Sequence, residues 1–357
     1  MGSLNSETKG AQYNCAPSHR RRFMSRFSFS WIAIFGFVLL FAACSEEDGT
    51  ECPCDGDTDE DADATDSDEA ADGDATDGDA LENEAAEDEE DTLDRWGFPA
   101  DHPLLQDGFL NVAHRGGGRL APEESLEAYQ NALAVGADML EMDLHATLDG
   151  VVVLHHDDTV DRITDGAGKI EEMTFEELRA LDAGYRFTPD GGQTYPYRGQ
   201  GVRVATFREV LEAFPTAIFS AEIKQSDPPI VDAVLEILAD TGMEERVILV
   251  SFFDAVVKEI REKNPRIVTG AATGEMVLFS TLTEADYADY EPPCPYFQLP
   301  GIEPELLTLA HELGVKVQIW TINDAAEMRS WIGMGVDAVM TDDPALLESV
   351  IQETGER

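Results

Sequence analysis

The sequence has little basic charge and little cysteine. Its 357 residues include 24 lysines and arginines against 73 aspartates and glutamates, for a formal net charge of −49. This balance excludes a nucleic-acid binder, whose surface would carry a basic patch. Of five cysteines, Cys52 and Cys54 stand one residue apart and Cys294 is isolated, so the chain is no disulfide scaffold. A nucleotide fingerprint is also missing, because the glycines at 116–118 form a run and not a G-x-G-x-x-G motif.

The acidic residues are concentrated in one segment. Residues 46–94 contain 25 acidic side chains and no basic one. Such a segment has too little apolar surface to form a core, and its like charges repel one another. Residues 45–95 are therefore predicted to be a disordered acidic linker that precedes a domain at 96–357.

An uncharged apolar stretch lies ahead of this linker. Three arginines at 20–22 precede residues 27–43, which end in Phe-Ala-Ala immediately before Cys44. A basic flank, an apolar centre and small residues at its end are typical of a signal peptide, and the cysteine after Ala-Ala resembles a bacterial lipobox. The resemblance implies a signal peptide at 1–43, a lipid on Cys44 and an exported protein anchored to a bacterial membrane. An uncleaved single-pass anchor is the alternative, since about 17 apolar residues is the short limit for spanning a bilayer.

The domain contains nine apolar, β-branched runs that alternate with segments of helical period. The runs cover 110–113, 139–145, 151–155, 217–223, 247–252, 267–271, 296–299, 315–320 and 336–340. Capping boxes that begin at Thr174 and Thr206 mark two helix starts. Only residues 146–150 separate the second run from the third, and a parallel crossover needs a dozen or more residues, so the third run is expected to return as a hairpin. The remaining eight βα units predict an α/β TIM barrel, whereas the rival doubly wound sheet lacks its nucleotide fingerprint.

Polar side chains fall where the predicted strands end, which is where TIM barrels carry their active sites. They are His114 and Arg115 after the first run, Glu141 and Asp143 on the second, and Glu222 and Lys224 on the fourth. Residues two apart on a strand share a face, so the three carboxylates point inward together and repel one another unless a cation binds them. Oxygen ligands alone favour a hard ion, Mg²⁺ or Ca²⁺. A buried salt-bridge network, in which Arg115 and Lys224 neutralise the acids, is the alternative.

Several motifs occur in the order found in one enzyme family. They are His114-Arg115-Gly116 with Pro122-Glu123-Glu124-Ser125, Glu141-Met142-Asp143-Leu144, VVVLHHDDTVDRIT at 151–164, Leu181-Asp182-Ala183-Gly184, Glu222-Ile223-Lys224, Trp320-Thr321-Ile322-Asn323 and Thr341-Asp342. Together they resemble the signature of the glycerophosphodiester phosphodiesterases over nearly the whole domain. The resemblance implies a metal-dependent TIM barrel that hydrolyses a small-molecule phosphodiester to sn-glycerol 3-phosphate and an alcohol.

The same resemblance implies a role for each matching residue. The implied site has His114 and His156 as general acid and base, Glu141, Asp143 and Glu222 as ligands of one divalent cation, Ca²⁺ or Mg²⁺, and Arg115, Lys224, Glu123 and Trp320 as substrate-binding residues. The arginine and the lysine would hold the phosphate, and the tryptophan would pack on the glycerol carbons. Histidine suits either proton-transfer role near neutral pH, because its ordinary pKa is about 6.5. The head group, the native ion, the oligomeric state and the choice between a cyclic intermediate and direct attack by water stay open.

Some positions depart from the family pattern or leave a choice. Glu124 stands where the family has asparagine, which adds an acid beside the site. His155 and His156 alternate along their run, so only one faces the cleft, and the match to His-Asp selects His156. Of the other histidines, His145 is expected behind the site or facing solvent, and His102 and His311 at the surface.

Residues 184–204 are expected to form a small insertion over the barrel mouth. Its aromatic side chains either cover the alcohol half of the substrate or pack the insertion onto the barrel: Tyr185, Phe187, Tyr195 and Tyr197. A longer apolar channel there would favour a lysophospholipase D or sphingomyelinase D-like phosphodiesterase. A catalytically inactive binding lipoprotein is the alternative from another class, and the retention of the site residues argues against it.

Overall fold

A computed structural model describes residues 93–356. Its strands are β1 (Leu110–Ala113), β2 (Met139–Ala146), β3 (Val152–Leu154), β4 (Ile218–Ile223), β5 (Val247–Val250), β6 (Tyr296–Leu299), β7 (Lys316–Ile319) and β8 (Ala338–Thr341). A parallel sheet runs in the order β5-β4-β2-β1-β8-β7-β6. Strand β3 pairs antiparallel with β2, with Leu144 opposite Leu154. The parallel α/β architecture and the hairpin return of the third run are thereby confirmed.

The sixth predicted strand, at 267–271, is wrong as a strand. The segment makes only single parallel bridges, from Thr269 to β5 and from Gly270 to β6, and so connects the two outer strands of the sheet. The Arg261 guanidinium donates to the Gly270 carbonyl (3.2 Å) and to the Thr269 hydroxyl (2.9 Å). A glycine weakens a strand, and Arg261 occupies the carbonyl of Gly270 itself, so the ladder extends no further.

Nine α-helices lie within the described residues. They are α1 (Leu126–Ala134), α2 (Phe175–Ala180), α3 (Phe207–Ala213), α4 (Val231–Thr241), α5 (Asp254–Lys263), α6 (Thr273–Ser280), α7 (Pro304–Glu312), α8 (Ala325–Met334) and α9 (Pro344–Thr354). Short 3₁₀ turns occupy His114–Gly116, Ile170–Glu172 and Glu244–Arg246. Both predicted capping boxes are present. The Thr174 hydroxyl accepts the backbone N–H of Glu177, and the Glu177 carboxylate accepts the backbone N–H of Thr174. Thr206 and Glu209 make the same pair of bonds. Satisfying these otherwise unpaired backbone groups defines where α2 and α3 begin.

The alternation along β2 divides its side chains between two environments. Leu140 and Met142 are buried in the apolar cluster that joins the strands to α3 and α4. Met139 belongs to another cluster, to which β1, β5, β6 and β8 contribute, and Glu141 and Asp143 follow it on the same face. Each buried apolar side chain contributes about 1.5–3 kcal/mol. The outward face therefore holds the strand in place while the inward face carries charge at its C-terminal end.

Residues ahead of β1 cover the opposite end of the sheet. Arg95 donates to the Leu313 carbonyl, and the Trp96 indole donates to the Gly314 carbonyl at 3.4 Å. Both acceptors lie just before β7. The Tyr296 hydroxyl, at the start of β6, donates to the carbonyl of Leu104. Residues 95–104 therefore pack against the N-terminal ends of the strands, away from the end that carries the charged residues.

His102 corrects an expectation, because it is buried and not at the surface. Its side chain is 3% exposed, its Nδ1 accepts the Leu104 N–H at 3.3 Å, and its ring lies 5.1 Å from that of Phe98. The covering segment encloses it, which local sequence does not indicate. His311 does lie at the surface, with its Nε2 2.9 Å from Asp337.

The segment between β3 and α3 forms a small apolar cluster of its own. Its members include Val153, Val160, Ile170, Leu178 and Val202. The inserted substructure is therefore larger than the predicted 184–204. It includes β3 and the capped helix α2.

The aromatic residues of 184–204 pack within that segment. The Arg198 guanidinium lies 4.2 Å from the ring centre of Tyr185 and 3.8 Å from that of Tyr195. Phe187 meets Tyr197 edge to face at 5.3 Å. These contacts are internal to the inserted segment, so the lid and the packing onto the barrel both stay predictions.

Within residues 93–356, none of the helices is long and apolar enough to cross a bilayer. The predicted signal peptide, Cys44 and nearly all of the predicted linker lie outside the described residues.

Candidate active site

The turn after β1 brings backbone and side chains to the site together. Arg115 has a φ of 52°, in the left-handed region, and its N–H donates to Glu141 Oε2 at 2.8 Å. Gly116 follows with a φ of 78°, and a Cβ there would lie 2.9 Å from the Ala128 Cβ. Only glycine fits this approach to α1. The turn therefore aims His114 and Arg115 at the carboxylates of β2.

Three carboxylates converge at the C-terminal ends of β2 and β4. Glu141, Asp143 and Glu222 each offer an oxygen, and these oxygens all lie within 4.8 Å of one another. Asp143 is directly opposite Glu222 in the parallel register. Glu141 is 4% and Asp143 1% exposed, so water screens their repulsion poorly. The inward alternation predicted for both strands is confirmed.

Two cations touch this cluster. Lys224 Nζ lies 2.7 Å from Glu222 Oε2 and 3.1 Å from Asp143 Oδ1, and Arg115 Nε lies 3.3 Å from Asp143 Oδ2. Burial would raise the pKa of Asp143, but Lys224 and Arg115 hold that pKa below its ordinary value. The salt-bridge network considered from the sequence is thus present around Asp143.

The two cations leave negative charge unbalanced. Burial, with Asp143 next in effect, raises the pKa of Glu141 to about 7. Burial also raises the pKa of Glu222 to about 7, against the opposing effect of Lys224. Asp143 Oδ2 accepts no hydrogen bond from the described residues. An oxygen-only donor set with excess negative charge fits a hard divalent cation.

His114 is held by an acidic partner. Its Nδ1 lies 2.6 Å from Asp342 Oδ1, and the other carboxylate oxygen of Asp342 accepts a hydrogen bond from the Asn323 amide at 2.6 Å. Burial lowers the pKa of His114, yet the hydrogen bond to Asp342 and the charge of Glu141 raise it overall. The contact through Nδ1 leaves Nε2 free for the cavity.

His156 lines the same cavity, and its surroundings shift its pKa in the opposite direction from that of His114. Its Nδ1 lies 2.7 Å from Asp157 Oδ1, and burial lowers its pKa. His155 is fully buried, its Nδ1 lies 2.9 Å from the Asp157 carbonyl, and burial lowers its pKa to about 4. His145 is also buried, with Nε2 3.4 Å from the His156 carbonyl. The structure therefore places His156, and neither neighbour, in the site.

One cavity of about 700 Å³, its open mouth included, contains these groups. Its charged lining is His114, Arg115, Glu141, Asp143, His156, Glu222 and Lys224. The facing wall includes Trp320, Phe252 and Met276, with the Trp320 and Phe252 rings edge to face at 5.9 Å. A phosphate ester with a small carbon skeleton fits this division into a charged half and an apolar half.

Sequence reasoning missed several residues that line the cavity, among them Phe252, Gln298 and Met276. Phe252 follows β5, and Gln298 lies on β6 two residues after the inward-facing Tyr296. The strand-end rule that found the acids would have found both. Met276 lies on α6, and no sequence signal points to it.

Two adjacent glutamates lie behind the cavity and not along its lining. Glu124 is 2% exposed with a φ of 60°, and its Oε1 accepts the Asp143 N–H at 3.0 Å while Tyr129 donates to Oε2. Burial and the nearby acids raise the pKa of Glu124 well above its ordinary value. Glu123 contacts Arg115 at 3.2 Å and pairs with Arg162. Glu124, the acid in place of the family's asparagine, thus supports the β2 backbone by accepting the Asp143 N–H.

This parallel α/β fold, with two histidines and a carboxylate cluster at the C-terminal ends of its strands, defines a phosphoric ester hydrolase. The glycerophosphoryl diester phosphodiesterase family matches residues 114–346. The chain belongs to this family of phosphoric diester hydrolases.

Individual relatives agree over the same region. The chain is 32% identical to a glycerophosphodiester phosphodiesterase of Caldanaerobacter subterraneus over 253 residues, which is 69% of this chain and 99% of the relative. It is 26% identical to a glycerophosphodiester phosphodiesterase of Bacillus subtilis over 273 residues, 69% of this chain and 88% of that one. A lysophospholipase D of Rattus norvegicus is 24% identical over 285 residues, 70% of this chain and 89% of that protein.

Solved structures give the same relationship. A glycerophosphoryl diester phosphodiesterase from Silicibacter pomeroyi superposes with a TM-score of 0.60 at 26% identity, covering 71% of this chain and 97% of that one. An Oleispira antarctica phosphodiesterase, solved in complex with the product sn-glycerol-3-phosphate, gives 0.58 at 25% identity, covering 68% and 96%. The parallel α/β sheet of this chain thus matches the TIM-barrel structures of the family.

Proposed function

We propose that this phosphoric diester hydrolase cleaves glycerophosphodiesters to sn-glycerol 3-phosphate and an alcohol. The observation that carries the proposal is the single cavity in which His114 and His156 share the lining with the carboxylate cluster and two cations. The relative that holds sn-glycerol-3-phosphate supports the product. The apolar wall at Trp320 suits the glycerol carbons, and the cations suit the phosphate.

The two histidines divide the proton transfers. Asp342 favours the protonated form of His114, whereas burial favours the neutral form of His156. Groups whose surroundings separate their pKa values in this way act as acid and base, respectively. His114 therefore donates a proton to the leaving oxygen, and His156 takes one from the attacking oxygen.

Glu141, Asp143 and Glu222 would hold one divalent cation, Ca²⁺ or Mg²⁺. When bound, it neutralises charge on the phosphoryl oxygens. Lys224 and Arg115 keep Asp143 ionised in readiness for the ion. They also face the cavity and orient the phosphate through charge-assisted hydrogen bonds.

The test is hydrolysis of glycerophosphocholine by the wild type, His114→Asn and His311→Asn. His311 is the matched control, because it also pairs with an aspartate but lies at the surface. We expect turnover to fall at least ~100-fold in His114→Asn and to stay within twofold in the control. EDTA should abolish wild-type turnover, and Ca²⁺ or Mg²⁺ should restore it. Undiminished turnover in His114→Asn or in EDTA contradicts the assignment.

A second candidate activity is that of a lysophospholipase D. The rat relative and two exposed apolar side chains, Phe253 (45%) and Leu278 (55%), favour it. Phe253 adjoins Phe252 of the apolar wall, and Leu278 lies on α6 with Met276. A higher kcat/KM for lysophosphatidylcholine than for glycerophosphocholine would establish this activity in place of the first.

We further propose export and lipid attachment at Cys44, on the strength of the basic flank, the apolar stretch and the Ala-Ala-Cys junction. Expressed in a bacterial host, the full chain should fractionate with membranes. Cys44→Ala should release it. Equal membrane recovery of both forms would instead indicate an uncleaved anchor.

A further inference from the structure

Arg162 links two acidic residues that belong to different parts of the fold. Its Nε lies 2.5 Å from Asp157 Oδ2, while Nη1 and Nη2 lie 2.8 and 2.6 Å from the two oxygens of Glu123. Asp157 follows β3, and Glu123 lies between β1 and α1. The planar guanidinium thus makes a two-bonded fork with Glu123 and a third bond with Asp157.

Each of these acids also contacts a residue that lines the cavity. The other oxygen of Asp157 lies 2.7 Å from His156 Nδ1. Glu123 Oε1 accepts from Arg115 Nη1 at 3.2 Å. Arg162 itself does not line the cavity. It therefore acts on the site only through the two acids.

Its exposure limits how much Arg162 stabilises the fold. Its side chain is 43% exposed, and an ion pair at that exposure stabilises a fold by little. Burial would raise the pKa of Asp157, but the hydrogen bonds and charges of Arg162 and His156 together lower it to about 2. A carboxylate held ionised and in one orientation fixes the tautomer and the ring plane of the histidine beside it.

We propose that Arg162 is a positioning residue for hydrolysis, holding Asp157 against His156 and Glu123 against Arg115. We call Glu123, Asp157 and Arg162 together the Arg162 clamp. It joins the inserted segment after β3 to the turn after β1, so that a proton-transfer group and a phosphate-binding group keep a fixed separation. The inference rests on the roles proposed above for His156 and Arg115.

The first experiment compares Arg162→Gln with Arg179→Gln. Arg179 is a matched control, because it lies in the same inserted substructure, pairs with Glu209 at 2.6 Å and is similarly exposed at 36%. We expect Arg162→Gln to lower kcat about tenfold and to raise KM, because small misplacements of reacting groups are costly. The control should stay within twofold, and both variants should melt within a few degrees of the wild type. Equal kinetics for Arg162→Gln and Arg179→Gln would overturn the proposal.

A double-mutant cycle separates positioning from a general structural role. If Arg162 acts on His156 through Asp157, Arg162→Gln should change kcat less than twofold in an Asp157→Asn background. The same tenfold loss in that background would overturn the clamp. Arg162→Lys retains the positive charge but cannot bond both Asp157 and Glu123 as the guanidinium does. It should therefore restore either kcat or KM to the wild-type value, but not both. Recovery of both would also overturn the clamp.

Failure of the clamp and failure of the proposed function give different results. Loss of turnover in His156→Asn, together with wild-type behaviour of Arg162→Gln, would reject the clamp and leave the proposed function standing. Undiminished turnover in His156→Asn would reject the role of His156 itself, and the clamp with it.

Discussion

Replacing Glu222 by glutamine should change how stability depends on pH and on metal. In the folded, metal-free protein burial raises the pKa of Glu222 to about 7 from an ordinary value of 4.5. Between those values the folded state keeps a proton that the unfolded state has lost. A raised carboxyl pKa therefore makes stability fall as pH rises from 4.5 through 7. Glutamine at this position cannot ionise, so the variant should escape that loss.

The magnitude follows from the two pKa values. The full shift corresponds to about 3 kcal/mol. Raising the pH from 6 to 8 crosses the folded-state pKa and should cost the wild type about 1 kcal/mol more than the variant. In a domain of this size that is about 2 to 4 °C in Tm. Any accompanying fall in the pKa of Glu141, which loses a charged neighbour, adds in the same direction.

The assay is thermal unfolding of both proteins in EDTA at pH 6, 7 and 8 and constant ionic strength. Histidines titrate in this window too, but they are common to both proteins and cancel in the difference. Adding Ca²⁺ or Mg²⁺ at pH 8 should raise the Tm of the wild type more than that of the variant, because an ion that binds only the folded state raises its stability and the variant lacks one ligand. Parallel Tm curves in EDTA, or equal stabilisation of both proteins by the ion, would refute the reasoning.

Three other substitutions give distinct outcomes. Asp342→Asn removes the carboxylate that raises the pKa of His114, so the limb of the kcat/KM–pH profile set by that histidine should move to lower pH; an unmoved limb contradicts the assignment. Glu124→Leu leaves a buried backbone N–H and a tyrosine hydroxyl without an acceptor and should cost about 2–4 kcal/mol in urea unfolding, whereas Glu124→Gln should cost clearly less; equal losses would show that the hydrogen bonds are not the cause. Gly116→Ala places a Cβ 2.9 Å from Ala128 Cβ at a φ of 78° and should cost about 1–3 kcal/mol by the same measurement, with the exposed Gly333→Ala, which meets nothing within 4 Å, as the control.

Local patterns were sufficient to predict most of the strands and the carboxylate cluster. The five residues between the second and third runs force a hairpin, and β3 does pair antiparallel with β2. Glu141 and Asp143 face inward because successive side chains on a strand alternate. Both features depend on residues close together in the chain.

Features that depend on distant residues were not predictable in this way. The run at 267–271 has the composition of a strand, but Arg261 and the glycine limit it to single bridges. The burial of His102 results from the covering segment at the other end of the domain. Met276 reaches the cavity from a helix, where no strand-end rule applies.

By itself the sequence determined the parallel α/β class, the inward acids of β2 and β4, and the chemistry that their residue types allow, because alternation and loop length act over a few residues. Only the tertiary structure decided what surrounds those acids. It placed His114 against Asp342, more than two hundred residues away, and Arg162 between Glu123 and Asp157. The physical reason is that a pKa and a side-chain orientation depend on burial and on charges brought together by folding, and neither can be read from neighbours in the chain.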